Sequence, residues 1–303
     1  MKKLRISTVE YFNTAPLVWG FTEGPLAGKY ELSFTVPSEC AAALGRGDAD
    51  IAIIPSIEYL RMDGIVALPE MAIAAKGEVR SILVVAKKPI EMATRFALDT
   101  SSRASTALVR ILAQERWNIA PEYIPAPPDP PEMLKHADAA LVIGDPALRI
   151  ALKLDAQAAQ PTGDRPCCQG DPEDIPVPGV EMLFVYDVAH EWREMTGKPC
   201  VLAVWAGRPE AITPEVVADF QASKKYGMER LREIAEAASE KLELPPQALE
   251  QYLRENIDFD LDAENLSGLR LFFEKAAAMG LAPPARELEF AAAETGSIAS
   301  RGH

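Results

Sequence analysis

The chain has 303 residues, of which 48% are hydrophobic and 25% are charged, and its formal net charge at pH 7 is −14. This composition is ordinary for a globular protein, and the length allows two domains, since one domain usually takes about 100–200 residues. The acidic balance, with no cluster of Lys and Arg, argues against nucleic acid as a partner, because phosphate binding needs a basic face. A small anion can still bind locally, at a helix N-terminus or beside hydroxyl groups and a single Arg.

The start of the chain carries no recognisable export signal. The positive residues 1–5 are not followed by the apolar run of about 7–15 residues that a secretory signal contains. No stretch approaches the roughly 18 apolar residues of a membrane span. We therefore expect a cytoplasmic protein with no membrane partner, and its oligomeric state stays open.

Cysteine and histidine are too few and too scattered to predict a metal centre. The spacing of Cys40, Cys167, Cys168 and Cys200 matches neither a zinc site nor a disulfide framework. With three histidines in the chain, a histidine metal site or a catalytic triad would be unusual. We expect no metal and no cofactor, and we interpret Cys167 and Cys168 as an exposed pair in a loop.

Strand and helix signals alternate along the chain, which is typical of an α/β fold. In the first part the patterns predict a strand at 4–9, a strand at 30–36, a helix in "SECAAALGRG" capped by Ser38 and ended by Gly45, a buried strand at 49–56, a helix in "IEYLRM", and strands at 66–75 and 80–86.

The second part begins again with a strand and continues the alternation. The patterns predict a strand at 95–99, a helix at about 102–117, a Pro-rich loop in "EYIPAPPDPPE", a strand, turn and helix within 136–148, a surface insertion at 155–178, a strand and helix within 181–197, a buried strand at 199–207, and helices from Thr213 onward.

Two stretches of sequence share one plan. "GDADIAIIPSIEYL" and "HADAALVIGDPALR" each contain Ala-Asp-Ala, a short apolar strand, a tight turn and a helix. We predict two lobes that are built alike, one from residues 1–85 plus 204–303 and the other from residues 86–203. The chain would cross between them twice, and the cleft between such lobes is a common ligand site.

Polar residues near strand ends would face this cleft, because ligands of open α/β sheets bind outside the carboxyl ends of the strands. Asn13 follows the first strand and is either a turn residue or a ligand contact. Ser56 follows the buried strand and either caps the next helix or contacts the ligand. Ser81 lies near the start of another strand. Gly144 and Asp145 mirror Ser56 in the second lobe, although an Asp there is typical of a turn or cap.

The stretch "DTSSRASTAL" is the strongest candidate for an anion site. It places Ser102, Arg103, Ser105 and Thr106 at a helix N-terminus, where free N–H groups, hydroxyls and a guanidinium suit a carboxylate or phosphate. In a simpler interpretation, one hydroxyl caps the helix and the others are solvated. Three hydroxyls exceed what capping needs, which favours the anion site.

Six motifs occur in one order along nearly the whole chain, apart from residues 155–178. They are "YFNTAPLVWG", "GDADIAIIPSIEYL", "VRSILVV", "TSSRASTALVRILAQERW", "ADAALVIGDPAL" and "VLAVWAGRPE". Together with the C-terminal stretch "YLRENIDFDLDAENLSGLRLFFEKAAAMGL", they resemble the chorismate dehydratase family of the futalosine route to menaquinone. The resemblance implies a two-lobed type II periplasmic-binding-protein-like fold with a ligand cleft between the lobes. The implied activity removes water from chorismate and yields 3-[(1-carboxyvinyl)oxy]benzoate.

The resemblance also implies roles for individual residues. Asn13 and Ser81 match positions implicated in the family's active site and are expected to be catalytic. Ser102, Arg103 and Ser105 match the start of its "S-R-x-S" helix. The full set expected to bind this dicarboxylate substrate is Ser56, Ser102, Arg103, Ser105, Thr106, Gly144 and Asp145.

Dehydration of chorismate forms a benzene ring, so catalysis chiefly requires orientation and charge stabilisation. Our hypothesis is that the enolpyruvyl carboxylate of the substrate takes the proton from C3 while Asn13 and Ser81 hold the reactive pose. A protein carboxylate such as Asp145 is the alternative base.

Three other functions suit the same fold. A solute-binding protein would need export or lipidation, and the start of the chain shows neither signal. A sister enzyme that forms dihydroxynaphthoate from the cyclic futalosine product should differ in the loop "YFNTAPL". A ligand-sensing domain would usually carry a DNA-binding segment, and the sequence shows none.

Overall fold

The structure is a computed structural model that describes residues 3–158, 169–170 and 183–291. Within these ranges the chain forms two β-sheets with helices packed around them, so the predicted α/β class is confirmed. The strands are β1 Arg5–Val9, β2 Glu31–Thr35, β3 Ile51–Pro55, β4 Val66–Ala75, β5 Ile82–Ala86, β6 Arg95–Asp99, β7 Glu122–Ala126, β8 Ala139–Ile143, β9 Gln169–Gly170, β10 Leu183–Asp187 and β11 Cys200–Gly207. The α-helices are α1 Ala15–Thr22, α2 Pro37–Arg46, α3 Arg103–Glu115, α4 Pro130–His136, α5 Gly144–Ala158, α6 Val188–Thr196, α7 Pro214–Met228, α8 Leu231–Leu242, α9 Pro246–Glu255 and α10 Ala263–Ala278.

The first sheet has the strand order β2-β1-β3-β11-β4. β1 is parallel to both β2 and β3, and helices α1 and α2 make the crossovers that parallel strands require. β11 is antiparallel to β3 and to β4. All five residues of β3 are buried, as its continuous apolar run predicts for a strand covered on both faces.

The second sheet has the order β7-β6-β8-β5-β10-β9. β6 is parallel to β7 and β8, whereas β5 is antiparallel to β8 and β10. The two stretches that share a sequence plan form β3 and β8, each the third strand of its sheet. Beside each of them lies one antiparallel strand, β11 in the first sheet and β5 in the second.

The chain passes between the sheets twice, after β4 and again before β11. The two crossings lie side by side, because Ala75 at the end of β4 pairs with Cys200 at the start of β11. The predicted lobe boundaries, after residues 85 and 203, fall inside β5 and β11, and each of these strands belongs to a single sheet. An apolar run alone does not indicate which sheet it joins, and the division into 1–85 plus 204–303 and 86–203 stays a prediction.

Helix α2 and the segment after β3 differ from the prediction. α2 begins at Pro37 with Val36 as its N-cap, not Ser38, because proline suits the first helical position. It ends at Arg46 rather than Gly45, since Gly47 adopts the left-handed conformation, with φ 76°, that commonly ends helices. The segment Ser56–Arg61 is a 3₁₀ helix, not an α-helix.

The Pro-rich stretch "EYIPAPPDPPE" was predicted to be a loop, and this prediction is wrong. It forms strand β7 and the start of α4. β7 is the edge strand of its sheet, and an edge position tolerates Pro125, which lacks an N–H. Helix α4 begins with Pro130, where the missing N–H costs nothing, and the Asp129 carboxylate caps it by accepting the Glu132 N–H at 3.1 Å.

The predicted insertion at 155–178 falls largely outside the described residues, as do Cys167 and Cys168. Helix α5 continues through Ala158, so the insertion begins later than predicted. Gln169–Gly170 forms β9, which pairs with β10. No helix in the described part of the chain is long and apolar enough to cross a membrane.

Candidate active site

A cavity of about 440 Å³, counting the part open to solvent, lies between the two sheets. Both halves of the fold line this cavity, which we call the cleft, with Val9, Tyr11, Asn13, Pro37, Pro55, Ile73, Leu202 and Ala203 from the side of the first sheet and Ser81, Ile82, Ser102, Ser105, Ile143 and Gly144 from the other. The structure therefore brings together five of the nine predicted site residues, namely Asn13, Ser81, Ser102, Ser105 and Gly144.

None of these described lining residues carries a charged side chain. The polar groups that face the cleft are the Asn13 amide and the hydroxyls of Tyr11, Ser81, Ser102 and Ser105. An anion in this cleft would be held by neutral donors, which keep the same charge over the physiological pH range.

Asn13 lies just beyond the carboxyl end of β1, in the 3₁₀ helix Phe12–Thr14. Its Oδ1 accepts a hydrogen bond from the Thr14 hydroxyl at 3.4 Å. Phe12, the residue before Asn13, stacks on the ring of Tyr252, with the ring centroids 6.1 Å apart. Asn13 thus lies in a turn and also lines the cleft, so its two sequence interpretations are compatible.

Ser81 lies at the first crossing, directly before β5. Because β5 is antiparallel to β8, its start lies beside the end of β8, and the Gly144 N–H donates to the Ser81 carbonyl at 2.8 Å. The Ser81 hydroxyl donates to the carbonyl of Val79 at 3.3 Å. Arg80 adopts φ 60°, a conformation uncommon for a residue with a side chain. This compact turn aims the Ser81 side chain at the cleft.

The carboxylate of Asp187 stabilises the same turn by accepting hydrogen bonds from its backbone. It accepts the N–H of Val79 at 3.1 Å and of Arg80 at 2.6 Å, and it caps α6 by accepting those of Ala189 and His190, each at 3.0 Å. Burial raises the pKa of Asp187 to about 6, and the N–H groups oppose that rise. One carboxylate thus joins the turn that carries Ser81 to the start of α6.

The N-terminus of α3 points at the cleft. Ser102 is its N-cap, since Ser102 Oγ accepts the Ser105 N–H at 3.3 Å and lies 2.9 Å from Ser105 Oγ. The capping interpretation is therefore confirmed for Ser102, yet both serines also line the cleft. In the described part of the chain, the N–H groups of Arg103 and Ala104 have no acceptor, as expected for a first helical turn.

Gly144 and Tyr11 meet across the cleft. Gly144 has φ 67°, and a Cβ at this position would lie 2.7 Å from the Tyr11 ring. The Tyr11 hydroxyl lies 3.4 Å from Ser101 Oγ, on the loop before α3. Glycine is therefore required here both by its backbone conformation and by the ring packed against it.

Two predicted binding residues do not line the cleft. Ser56 is fully buried, and its hydroxyl donates to the Val201 carbonyl of β11 at 2.8 Å; Pro55 is the N-cap of the helix that follows. Thr106 lies one residue beyond Ser105, and its hydroxyl donates to the Asp99 carbonyl at 3.4 Å. Both hydroxyls are used inside the fold, and the buried hydroxyl of Ser56 requires such a partner.

Arg103 is likewise directed away from the cleft. Its Nη1 lies 2.6 Å from Glu58 Oε2, and its own side chain is half exposed. Glu58 is 2% exposed and pairs with Arg61 as well. A carboxylate buried this deeply requires cationic partners, which explains why the guanidinium of Arg103 turns toward it.

Asp145 supports the loop that carries Asn13. Its Oδ1 accepts the Phe12 N–H at 2.9 Å, and burial raises the pKa of its carboxyl. Asp145 does not line the cleft but lines a neighbouring cavity of about 700 Å³, counted in the same way, and Tyr11 lines both cavities. Its position favours the structural role over that of a base.

Tyr252 is the residue that the sequence patterns missed. It lies in α9, its side chain is 1% exposed, and its ring stacks on that of Phe12, next to Asn13, with the ring centroids 6.1 Å apart. Its apolar neighbours on the helix predict only a core residue. Because Phe12 and Tyr252 lie far apart in the chain, no local pattern predicts their contact.

Residues 4–278 match the model of a family described as menaquinone biosynthesis. The chain belongs to this menaquinone biosynthesis family. The match includes every residue that lines the cleft, and Tyr252 as well, so the site lies wholly inside the family region.

A curated relative of this family member is named chorismate dehydratase and comes from Thermus thermophilus. It is 30% identical over 283 residues, which cover 93% of this chain and 97% of the relative. The family that the sequence motifs resemble is thus confirmed. The role of each residue at the cleft stays a prediction.

Solved structures show the fold. A protein from Archaeoglobus fulgidus is 17% identical with a TM-score of 0.65, and the likeness covers 92% of this chain and 98% of that one. The alkanesulfonate-binding protein of Xanthomonas axonopodis pv. citri, bound to MOPS, is 15% identical with a TM-score of 0.61, over 92% and 94% of the two chains. These likenesses confirm the two-lobed type II periplasmic-binding-protein-like fold of this family member, and at such identities they concern the fold alone.

Proposed function

We propose that the protein is a chorismate dehydratase, a hydro-lyase that acts in the cytoplasm on the futalosine route to menaquinone. The observation that carries the proposal is the meeting of Asn13, Ser81, Ser102 and Ser105 around one uncharged cleft. The family match and the Thermus relative support the same activity. The cleft would take a small dicarboxylate and no cofactor.

The N-terminus of α3 is the part of the cleft best suited to a carboxylate of chorismate. Two N–H groups of its first turn and the hydroxyls of Ser102 and Ser105 offer hydrogen bonds, and the helix dipole adds a partial positive charge. This arrangement binds an anion without a cation, in agreement with the overall negative charge of the chain. Apolar walls such as Ile73, Ile82 and Ile143 would pack against the ring of the substrate.

Asn13 and Ser81 would flank the reacting carbons. In our proposal the enolpyruvyl carboxylate of the substrate takes the C3 proton, and the electron pair of the broken C–H bond is delocalised through C1=C2 into the ring carboxylate. This pair then forms the C3=C4 double bond and completes the aromatic ring as the C4–O bond breaks. The leaving hydroxide takes the proton from the enolpyruvyl carboxylic acid and departs as water. Neutral donors that stabilise this charge are typically worth about 10²–10³ in rate for each donor removed.

The test is an assay with purified protein and chorismate. We expect the diene absorbance to be replaced by that of an aromatic product, with a mass lower by one water. The variants Asn13→Ala and Ser81→Ala should each lower kcat by about 10²–10³-fold. A matched control is Ser239→Ala, because the Ser239 hydroxyl donates to the Leu244 carbonyl at 2.7 Å and does not line the cleft.

Three results would count against the proposal. Binding of chorismate without turnover would indicate a solute-binding protein of the same fold. Full turnover in both variants would remove Asn13 and Ser81 from the mechanism. Loss of turnover in Asp145→Asn, with unchanged chorismate affinity and melting temperature, would indicate a protein base in place of the substrate carboxylate.

A further inference from the structure

We propose that Asp187 is a positioning residue that sets the direction of the Ser81 hydroxyl by fixing the peptide group before Arg80, an inference that rests on the function proposed above. Asp187 is the last residue of β10, and this strand is antiparallel to β5, which begins directly after Ser81. The sheet therefore brings the carboxylate beside the turn, although Asp187 and Arg80 lie 107 residues apart in the chain.

The peptide group between Val79 and Arg80 is hydrogen-bonded at both of its edges. Its N–H, which belongs to Arg80, donates to Asp187 Oδ2 at 2.6 Å. Its carbonyl, which belongs to Val79, accepts the Ser81 N–H at 2.7 Å and the Ser81 hydroxyl at 3.3 Å. A trans peptide group is planar, and its N–H and carbonyl point in opposite directions. The carboxylate that holds the N–H therefore also directs the carbonyl to which the Ser81 hydroxyl is bonded.

This turn has a costly backbone shape. Arg80 has φ 60°, and the Ser81 N–H bonds to the carbonyl two residues before it, a combination that is rare and strained for a residue with a side chain. Strained backbone persists where its surroundings fix it, and such strain is concentrated at functional sites. Asp187 also accepts the Val79 N–H at 3.1 Å, so one carboxylate holds two consecutive N–H groups of the turn.

The effect of Asp187 on the substrate would pass through Ser81. Ser81 lines the cleft and Asp187 does not. In the mechanism proposed above, Ser81 flanks the reacting carbons, so the direction of its hydroxyl affects the stabilisation of the developing charge. An error of about 1 Å in the pose of a reacting group can cost about 10²-fold in rate.

The test is Asp187→Asn, which replaces one carboxylate oxygen by an NH₂ group. Asp187 Oδ1 accepts three N–H groups, those of Val79 and of two residues in the first turn of α6, whereas Oδ2 accepts that of Arg80. The amide oxygen should keep the place of Oδ1, because asparagine caps helices about as well as aspartate. The NH₂ group then faces the Arg80 N–H, and two donors cannot bond to each other.

The peptide group before Arg80 thus loses its acceptor in this variant. We expect kcat for chorismate to fall about 10- to 100-fold. The KM should stay within about threefold, because the proposed carboxylate contacts at α3 are unchanged. A lower kcat at constant KM is the pattern of an interaction that matters in the transition state.

The matched control is Asp138→Asn. Asp138 Oδ2 also accepts two consecutive N–H groups at the start of a strand in the same sheet, those of Thr94 at 2.8 Å and of Arg95 at 3.2 Å, and Asp138 does not line the cleft. This variant should lose stability while keeping the kcat of the wild type. Equal losses of kcat in Asp187→Asn and Asp138→Asn would overturn the inference.

A double variant separates positioning from a general loss of stability. If Asp187 acts through Ser81, then adding Asp187→Asn to Ser81→Ala should slow turnover by less than about twofold beyond Ser81→Ala alone. Independent multiplication of the two effects would contradict a role through Ser81.

If Asp187→Asn does not fold, Asp187→Ser takes its place. Serine also caps helices, but it has a single oxygen for the four N–H groups, so we expect the same loss of kcat. An active wild type whose kcat is unchanged by the substitution would overturn this inference alone, whereas a wild type that does not turn over chorismate would overturn the proposed function.

Discussion

Replacing Gly144 by alanine should destabilise the fold and displace a wall of the cleft. The glycine has φ 67°, a left-handed conformation that costs an L-residue about 1–2 kcal/mol. The new Cβ would also lie 2.7 Å from two carbons of the Tyr11 ring, closer than carbon atoms approach without displacement. Either the ring or the start of α5 must move.

The size of the effect follows from these two costs. Overpacking in a dense region adds about 1–3 kcal/mol, so Gly144→Ala should lower the free energy of unfolding by about 2–5 kcal/mol in total. That is a substantial part of the about 5–15 kcal/mol available to a typical protein. Because Tyr11 lines the cleft beside Asn13, turnover of chorismate should fall as well.

Urea unfolding measures this free energy, and Gly47→Ala is the matched control. Gly47 has φ 76°, but a Cβ there would meet nothing within 4 Å. It should therefore show only the backbone cost of about 1–2 kcal/mol. The difference between the two variants isolates the contact with Tyr11, and Tyr11→Ala in the Gly144→Ala background should recover part of it.

Equal losses of unfolding free energy in Gly144→Ala and Gly47→Ala would show that the Tyr11 ring does not crowd a Cβ at position 144. The same conclusion would follow if Tyr11→Ala added its own loss to that of Gly144→Ala. Additivity is expected only between residues that do not touch.

Two further predictions concern the start of α3. Ser102→Ala should lower the free energy of unfolding by about 1 kcal/mol through loss of the N-cap, and it should also raise the KM for chorismate. The control Thr213→Ala removes the N-cap of α7, away from the cleft, and should show only the loss of stability. Equal KM values in both variants would contradict an anion site at Ser102. Arg103→Gln should lower stability, because it removes one of the two cationic partners of the buried Glu58 carboxylate. It should change the KM by less than about threefold, since the guanidinium does not line the cleft. A roughly tenfold rise in KM would place Arg103 at the substrate.

Local patterns were sufficient for most of the secondary structure. The apolar run of β3 and the 3.6-residue periodicity of α3 each lie within the segment that forms the element. Both elements therefore lie close to where they were predicted. The stretch that became β7 was missed because its prolines are acceptable only at the edge of a sheet. Whether a strand lies at an edge depends on the neighbours it pairs with, and these are distant in sequence.

The sequence by itself determined that Asn13 follows the first strand and that Ser102 lies at the start of a helix, because strand and helix ends are local features. The tertiary structure decided which neighbouring side chains reach the same cleft. Arg103 turns to Glu58, since a carboxylate buried elsewhere in the fold needs its charge. Tyr252 reaches Phe12, beside Asn13, because the packing of α9 brings the two rings together. Such contacts depend on distances between side chains far apart in the chain, which only the folded arrangement sets.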